Sequence, residues 1–292
     1  MSDLQIRIIT AVCYVVLAPF IAGLLDGMDR KISARMQGRK GPSILQPFYD
    51  IKKLFHKQFL SAYRLQLVLV LTYMIFVVMT GVLFYAGLDL LLCFFALSTA
   101  VMFLILASSA THSPFSSQGT HREMMQMMSY EPMVLLTAVG FYLACGTFEV
   151  NEIIKGDIPA VVYLPGIFVG FVFILTIKFR KSPFDLSTSH HAHQEVVKGV
   201  TTEMVGKEYA MTTITEWYEV VFLLGVIGLF FITSNPWSIL GAVAAILVVY
   251  FLEVLIDNVS ARVKWQLMLK LAWSVTIVAG GLNLFILTLI KH

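Results

Sequence analysis

Apolar residues fall along this chain in runs of about 20, the helix length that crosses a bilayer at 1.5 Å per residue. The runs lie near 5–27, 66–87, 89–110, 124–147, 160–179, 210–233, 238–258 and 267–290. Most are apolar on every face, and none alternates as a strand would. In lipid only a helix satisfies its own backbone within one segment. The pattern predicts an all-α integral membrane protein of about eight transmembrane helices, a single polytopic domain over 1–292. The first run is too long for a signal peptide and lacks a small-residue cleavage site, so it is expected to stay in the protein.

Composition agrees. The 292 residues are 58% hydrophobic and 13% charged, where a soluble domain carries roughly a quarter charged residues. The basic residues set an orientation. Of 21 Lys and Arg, 18 fall in alternate connections near 28–65, 111–123, 180–209 and 259–266 or at their edges. The positive-inside rule places those loops in the cytoplasm and both termini on the outer face, in the cell membrane. The basic residues lie beside the membrane, so nothing supports nucleic-acid binding.

The first long loop holds a helix of its own. Gly41-Pro42 signals a turn and Pro47 suits a first helical turn. Phe48, Ile51, Leu54 and Phe55 then recur at helical spacing, with Lys52, Lys53 and Lys57 outside the stripe. Such a helix lies in the interface, anchoring to lipid or forming a platform for a cytoplasmic partner.

Carboxylates within apolar spans carry the candidate chemistry. Glu131, Glu216, Glu219 and Glu253 lie roughly 8–15 Å from the cytoplasmic ends of their spans by helical rise. Ionised groups at that depth are expensive and commonly mark proton or ion routes. Glu216 and Glu219 share a helix face. Pro132 frees the carbonyl of Met128, and Glu123, Gln126 and Tyr130 form a polar stripe leading to Glu131. The bland reading is that each glutamate only fixes helix packing. Asp257 and Lys270 fall nearer the boundary and read as interfacial.

His190, His191 and His193 in the third long loop suit proton exchange near neutral pH better than metal binding, because no second ligand cluster accompanies them. Cys13, Cys93 and Cys145 are isolated in apolar runs and read as small buried hydrophobes. No cofactor is expected in this chain. Gly166 and Gly170 fit close helix packing.

Several motifs together resemble one family. Ala34-Arg35, Gly41-Pro42, Leu45-Gln46-Pro47 and Asp50-Ile51-Lys52-Lys53-Leu54 are similar to the first inner loop of the complex I membrane subunit beside the quinone chamber. Ser129-Tyr130-Glu131 resembles its Ser-Tyr-Glu element. Pro183-Phe184-Asp185-Leu186, Gly199, Thr202-Glu203 and Glu216 follow its third inner loop and next helix. The resemblance covers nearly the whole chain and its span count. Within the family, His190-His191-Ala192-His193-Gln194-Glu195 and Glu216-Trp217-Tyr218-Glu219 look most like the membrane anchor of energy-converting, Ech-type nickel–iron hydrogenases.

That resemblance implies an ion-translocating anchor subunit without bond chemistry of its own. The nickel–iron centre and iron–sulfur clusters would lie in partners: hydrogenase large and small subunits, a ferredoxin-like iron–sulfur subunit and an antiporter-like membrane subunit. Glu131, Glu203 and Glu216 correspond to carboxylates of the family's path, with Glu219 and Glu253 added from their depth. Asp185, Glu195, the three histidines, Arg35, Arg39 and Asp50 would face the redox module and the relay entrance. The rival readings are a quinone-site subunit and a free-standing ion-coupled transporter.

Overall fold

Long apolar helices joined by short turns at one end and long polar loops at the other build the molecule. The computed structural model describes residues 3–58, 64–188 and 198–291. In chain order the helices are α1 (Asp3–Met36), α2 (Gln46–His56), α3 (Arg64–Tyr85), α4 (Leu90–Ser109), α5 (Pro114–Cys145), α6 (Val150–Ile154), α7 (Ala160–Tyr163), α8 (Pro165–Lys178), α9 (Lys207–Leu229), α10 (Ser238–Val259), α11 (Trp265–Val275) and α12 (Leu282–Lys291). A π-helical segment, Thr276–Gly281, joins the last two, so Trp265–Ile290 forms one span. The fold is that of an all-α, multi-pass membrane protein.

Among the described residues, seven helices are long and apolar enough to cross a membrane, against the eight expected from sequence. The missing one is the run at 160–179. Its chain breaks at Leu164 (φ −121°, ψ 42°) because Pro165 has no N–H to continue from α7. The 14-residue α8 that follows is too short to span alone. The Asn283 side chain, from α12, closes the break. Its Oδ1 accepts from the amides of Gly166 and Ile167 at 3.0 and 3.1 Å, and its Nδ2 donates to Tyr163.

Two other boundaries move. α1 continues to Met36, well past the expected end at residue 27. α5 begins at Pro114, so most of the expected loop 111–123 is helix. The polar residues there hid it: Ser116, Gly119 and Thr120 are buried. Ser116 bonds Ser108 of α4, and Gly119 packs on the backbone of the third loop, where an added Cβ would come within 2.4 Å of the Val200 nitrogen. The amphipathic α2 forms as the sequence predicts, with Pro47 in its first turn.

The core lies among α3, α4, α5, α8 and α9, around Tyr73, Phe94, Phe141, Phe171 and Phe222. In the spanning window of α9, 67% of residues are buried within the chain, against 17% in the last span. The central helix is therefore shielded from lipid by its neighbours, while α1, α10 and α11–α12 present apolar faces outward. Gly166 and Gly170 do bring helices close: added Cβ atoms would reach the Ala279 carbonyl oxygen and the Met133 methyl, both at 2.4 Å.

Candidate functional site

The loop-rich ends of α1, α8, α9 and α10 surround a polar cavity of about 770 Å³. A single water needs about 15 Å³ of such space, so the cavity can hold a connected water chain. Among the described residues, six carboxylates and five Lys or Arg side chains line it. Its organiser is the last residue of α8 and the turn that follows, residues 178–185, which meets four helices through charged side chains.

Lys178 Nζ donates to Glu219 Oε1 of α9 at 2.9 Å, both side chains being nearly enclosed (4% and 9% exposed). The same ammonium sits 4.3 Å from the centroid of the Tyr130 ring on α5. On α3, the Tyr73 hydroxyl donates to Glu219 Oε2 at 3.4 Å. Arg180 bridges two helices, donating to Glu123 of α5 at 2.9 Å and to Glu216 of α9. Lys181 donates to Asp29 of α1 at 2.7 Å. From α10, Asp257 accepts the backbone amide of Ser182 at 2.8 Å. Asp257 is thus a member of the cavity wall, a correction to its reading as simply interfacial.

Two further contacts fix the turn that carries Asp185. The Gln126 amide donates to the Phe184 carbonyl at 2.6 Å. Arg262 donates to the Asp185 carbonyl at 3.0 Å and lies 3.4 Å from its carboxylate. Buried ion pairs return their desolvation cost only when geometry is good, so these contacts are weak evidence for stability. They do store separated charges that a change nearby can rearrange.

The sequence-derived candidates divide. Glu216, Glu219, Asp185 and Arg39 line the cavity. Asp50 accepts from Arg30 at 2.9 Å and lines a smaller adjoining pocket between α2 and α9. Glu253 is fully buried in α10, one turn from the cavity-lining Tyr250 and Asp257, and neither carboxylate oxygen meets a donor in full hydrogen-bond geometry, the Thr176 hydroxyl lying close by. Glu131 is half-buried on α5, while Glu203 and Arg35 are exposed, and none of the three is among the residues around the cavity. His190, His191, His193 and Glu195 lie outside the described residues.

What the reading of carboxylates missed is their counter-charges, Lys178, Arg180 and Lys181, and one further carboxylate, Asp29. The run Lys178-Phe179-Arg180-Lys181 at the end of an apolar segment was the available signal. Of the three cysteines expected to be buried, Cys93 on α4 is, whereas Cys13 on α1 and Cys145 at the end of α5 are exposed on the outside of the bundle. Among the described residues no three His, Cys, Asp or Glu side chains converge as a metal site.

A multi-pass helical bundle with an ion-paired cavity at one end is the class this architecture defines. Residues 8–288 match the NADH dehydrogenase family, and the chain belongs to it. It is similar to component C of hydrogenase-4 from Escherichia coli, at 30% identity over 70% of this chain and 69% of that protein. It is also similar to an NADH-quinone oxidoreductase subunit from Syntrophotalea carbinolica, at 25% identity over 96% of this chain and 91% of that one. The fold matches a chain in the structure of the membrane-bound sulfane sulfur reductase, an archaeal respiratory membrane complex. That match has a TM-score of 0.84 at 18% identity and covers 96% of this chain and 99% of the other.

Proposed function

We propose that this chain is the membrane-anchoring, ion-translocating subunit of an energy-converting nickel–iron hydrogenase, a respiratory complex in which ferredoxin-linked H2 chemistry drives proton or sodium movement. The observation that carries the reading is the cavity with its wall, where carboxylates from α1 and α9 that line it and the enclosed Glu123 behind it are held against cations of the 178–185 segment. A charge appearing on a redox partner above this end would compete with those pairs. Protons would then shift among Glu216, Glu219 and the flanking Glu131, Glu203 and Glu253.

In this reading the long loops face the cytoplasm and carry the partner. Asp185, Arg35, Arg39, Asp50, Glu195 and the histidines His190, His191 and His193 meet the soluble hydrogenase subunits and their iron–sulfur protein, and an antiporter-like subunit continues the route. The similarity to hydrogenase-4 component C supports the hydrogenase branch. Purification of the complex in mild detergent tests it. Co-migration with nickel- and iron–sulfur-containing subunits, with ferredoxin-dependent H2 formation, is the expected result. A chain that migrates alone would overturn it.

A second reading, a quinone-site subunit, is favoured by the coverage of the NADH-quinone oxidoreductase relative, 96% of this chain. Quinone-dependent oxidation of the electron donor by the same preparation, with no H2 formed, would select it.

A further inference from the structure

The helix end that carries Arg180 has two counterparts in the same molecule. α1, α3 and α8 all terminate with the same pair of backbone hydrogen bonds. In α1, Arg39 N–H donates to Ala34 and Gly38 N–H to Arg35. In α3, Leu88 donates to Leu83 and Gly87 to Phe84. In α8, Lys181 donates to Thr176 and Arg180 to Ile177. This closure places one residue in the left-handed region, where glycine is at home and a side chain is strained. Gly38 (φ 71°) and Gly87 (φ 76°) fill that place in the first two, and Arg180 (φ 51°) in the third. Strained residues persist where surrounding structure and function hold them.

The guanidinium explains what holds this one. It bridges Glu123 and Glu216, and these two carboxylates differ in access. The Glu123 side chain is 6% exposed, whereas that of Glu216 is 37% exposed and opens on the cavity. Glu123 also keeps its Oε2 without a hydrogen-bond partner. Among the described residues, the charged or hydroxyl groups around this pair include Lys178, Lys181 and Asp185 of the same segment, Ser187, Glu219 on α9, and Tyr73 and Tyr130 on α3 and α5.

We propose that Arg180 is a positioning residue that switches between two states. In one it bridges Glu123 and Glu216. In the other Glu216 takes a proton from cavity water and leaves, and the released guanidinium N–H turns to the vacant Oε2 of Glu123. The fully enclosed Glu123 is the fixed post and Glu216 the exchanging one. A fork of five N–H donors can change partners this way without losing its anchor. The step moves one proton onto Glu216, and its contact with Arg180 is exchanged for one between Arg180 and Glu123. It deepens the proposed ion route and rests on it.

The test is ion uptake by proteoliposomes of the whole complex, scored per electron transferred, together with the thermal midpoint. Arg180→Gly relieves the backbone but strands Glu123 and Glu216, so the midpoint falls whether Arg180 switches or only pairs, and a merely structural Arg180 would leave uptake per electron normal in the complex that assembles. The switch predicts uptake per electron falling at least tenfold in the assembled complex, and difference infrared spectra gaining a protonated-carboxyl band. Arg180→Lys should recover part of the uptake, and Arg180→Gln should show the same loss if the glycine variant fails to assemble. Normal uptake in Arg180→Gly or Arg180→Gln, or no recovery with Arg180→Lys, overturns the switch. Glu216→Gln separates the two levels. If it transports normally, the route itself is wrong; if it is blocked while Arg180→Gly transports normally, only the role of Arg180 falls.

Discussion

Glu219 and Glu253 are buried carboxylates on adjacent helices, each set in an apolar span, and their surroundings are opposite. Glu219 receives Lys178 and the Tyr73 hydroxyl, and Lys178 is itself steadied by the Tyr130 ring. Glu253, a single helical turn from the cavity wall, meets no donor in full hydrogen-bond geometry on either oxygen. Burial alone therefore does not define a site here. What separates the two is a direct ion pair, which Lys178 makes with Glu219, whereas Lys181 pairs with Asp29 and not with Glu253. A carboxylate with a counter-charge is part of a rearrangeable network, whereas one without is a cost the fold carries.

The difference can be broken from either side. The largest effect is expected from Lys178→Met, which strands Glu219 without its cation and should lower stability by about 3–5 kcal/mol. The thermal midpoint in detergent reads this, and adding Glu219→Met should restore most of the loss. Glu253→Met should act in the opposite direction. It removes an unpartnered buried polar group and should raise stability by about 1–3 kcal/mol, while ion uptake falls if Glu253 serves the route. A lowered midpoint would mean that Glu253 has a partner that stabilises it.

A smaller loss, about 1 kcal/mol, is expected for Asn283→Ala, which uncaps the amides of Gly166 and Ile167 at the α7–α8 break. Hydrogen exchange at those two amides should accelerate locally. Smallest of all is Lys155→Ala at the exposed Glu152–Lys155 pair, for which a change under about 0.5 kcal/mol is expected. A large effect there would place that turn under an unrecognised contact.

Much of the fold was legible, for a simple reason. Apolar runs of membrane-crossing length have few alternatives to the helix, and Pro47 and the lysine-flanked stripe marked α2. The start of α5 was hidden because its first turns bury small and polar residues against loop backbone, a pattern that reads as a loop. The break at Leu164 was readable in Pro165, but the Asn283 side chain that closes it comes from more than a hundred residues away. For the site, helical rise gives a carboxylate's height along its span but not the direction it faces. Glu216 and Glu219 were paired correctly because a three-residue spacing fixes a common face. Glu131 and Glu253 could be placed in height only. The cations were missed because Lys178 and Arg180 meet partners 36 to 57 residues away, across helix packing that composition does not reveal.

The most direct measurement is ion uptake per electron in proteoliposomes of the intact complex carrying Glu216→Gln beside the parent, with hydrogenase turnover followed by a dye. The account predicts continued dye-linked turnover with uptake per electron reduced to background. Uptake per electron equal to the parent's would contradict it.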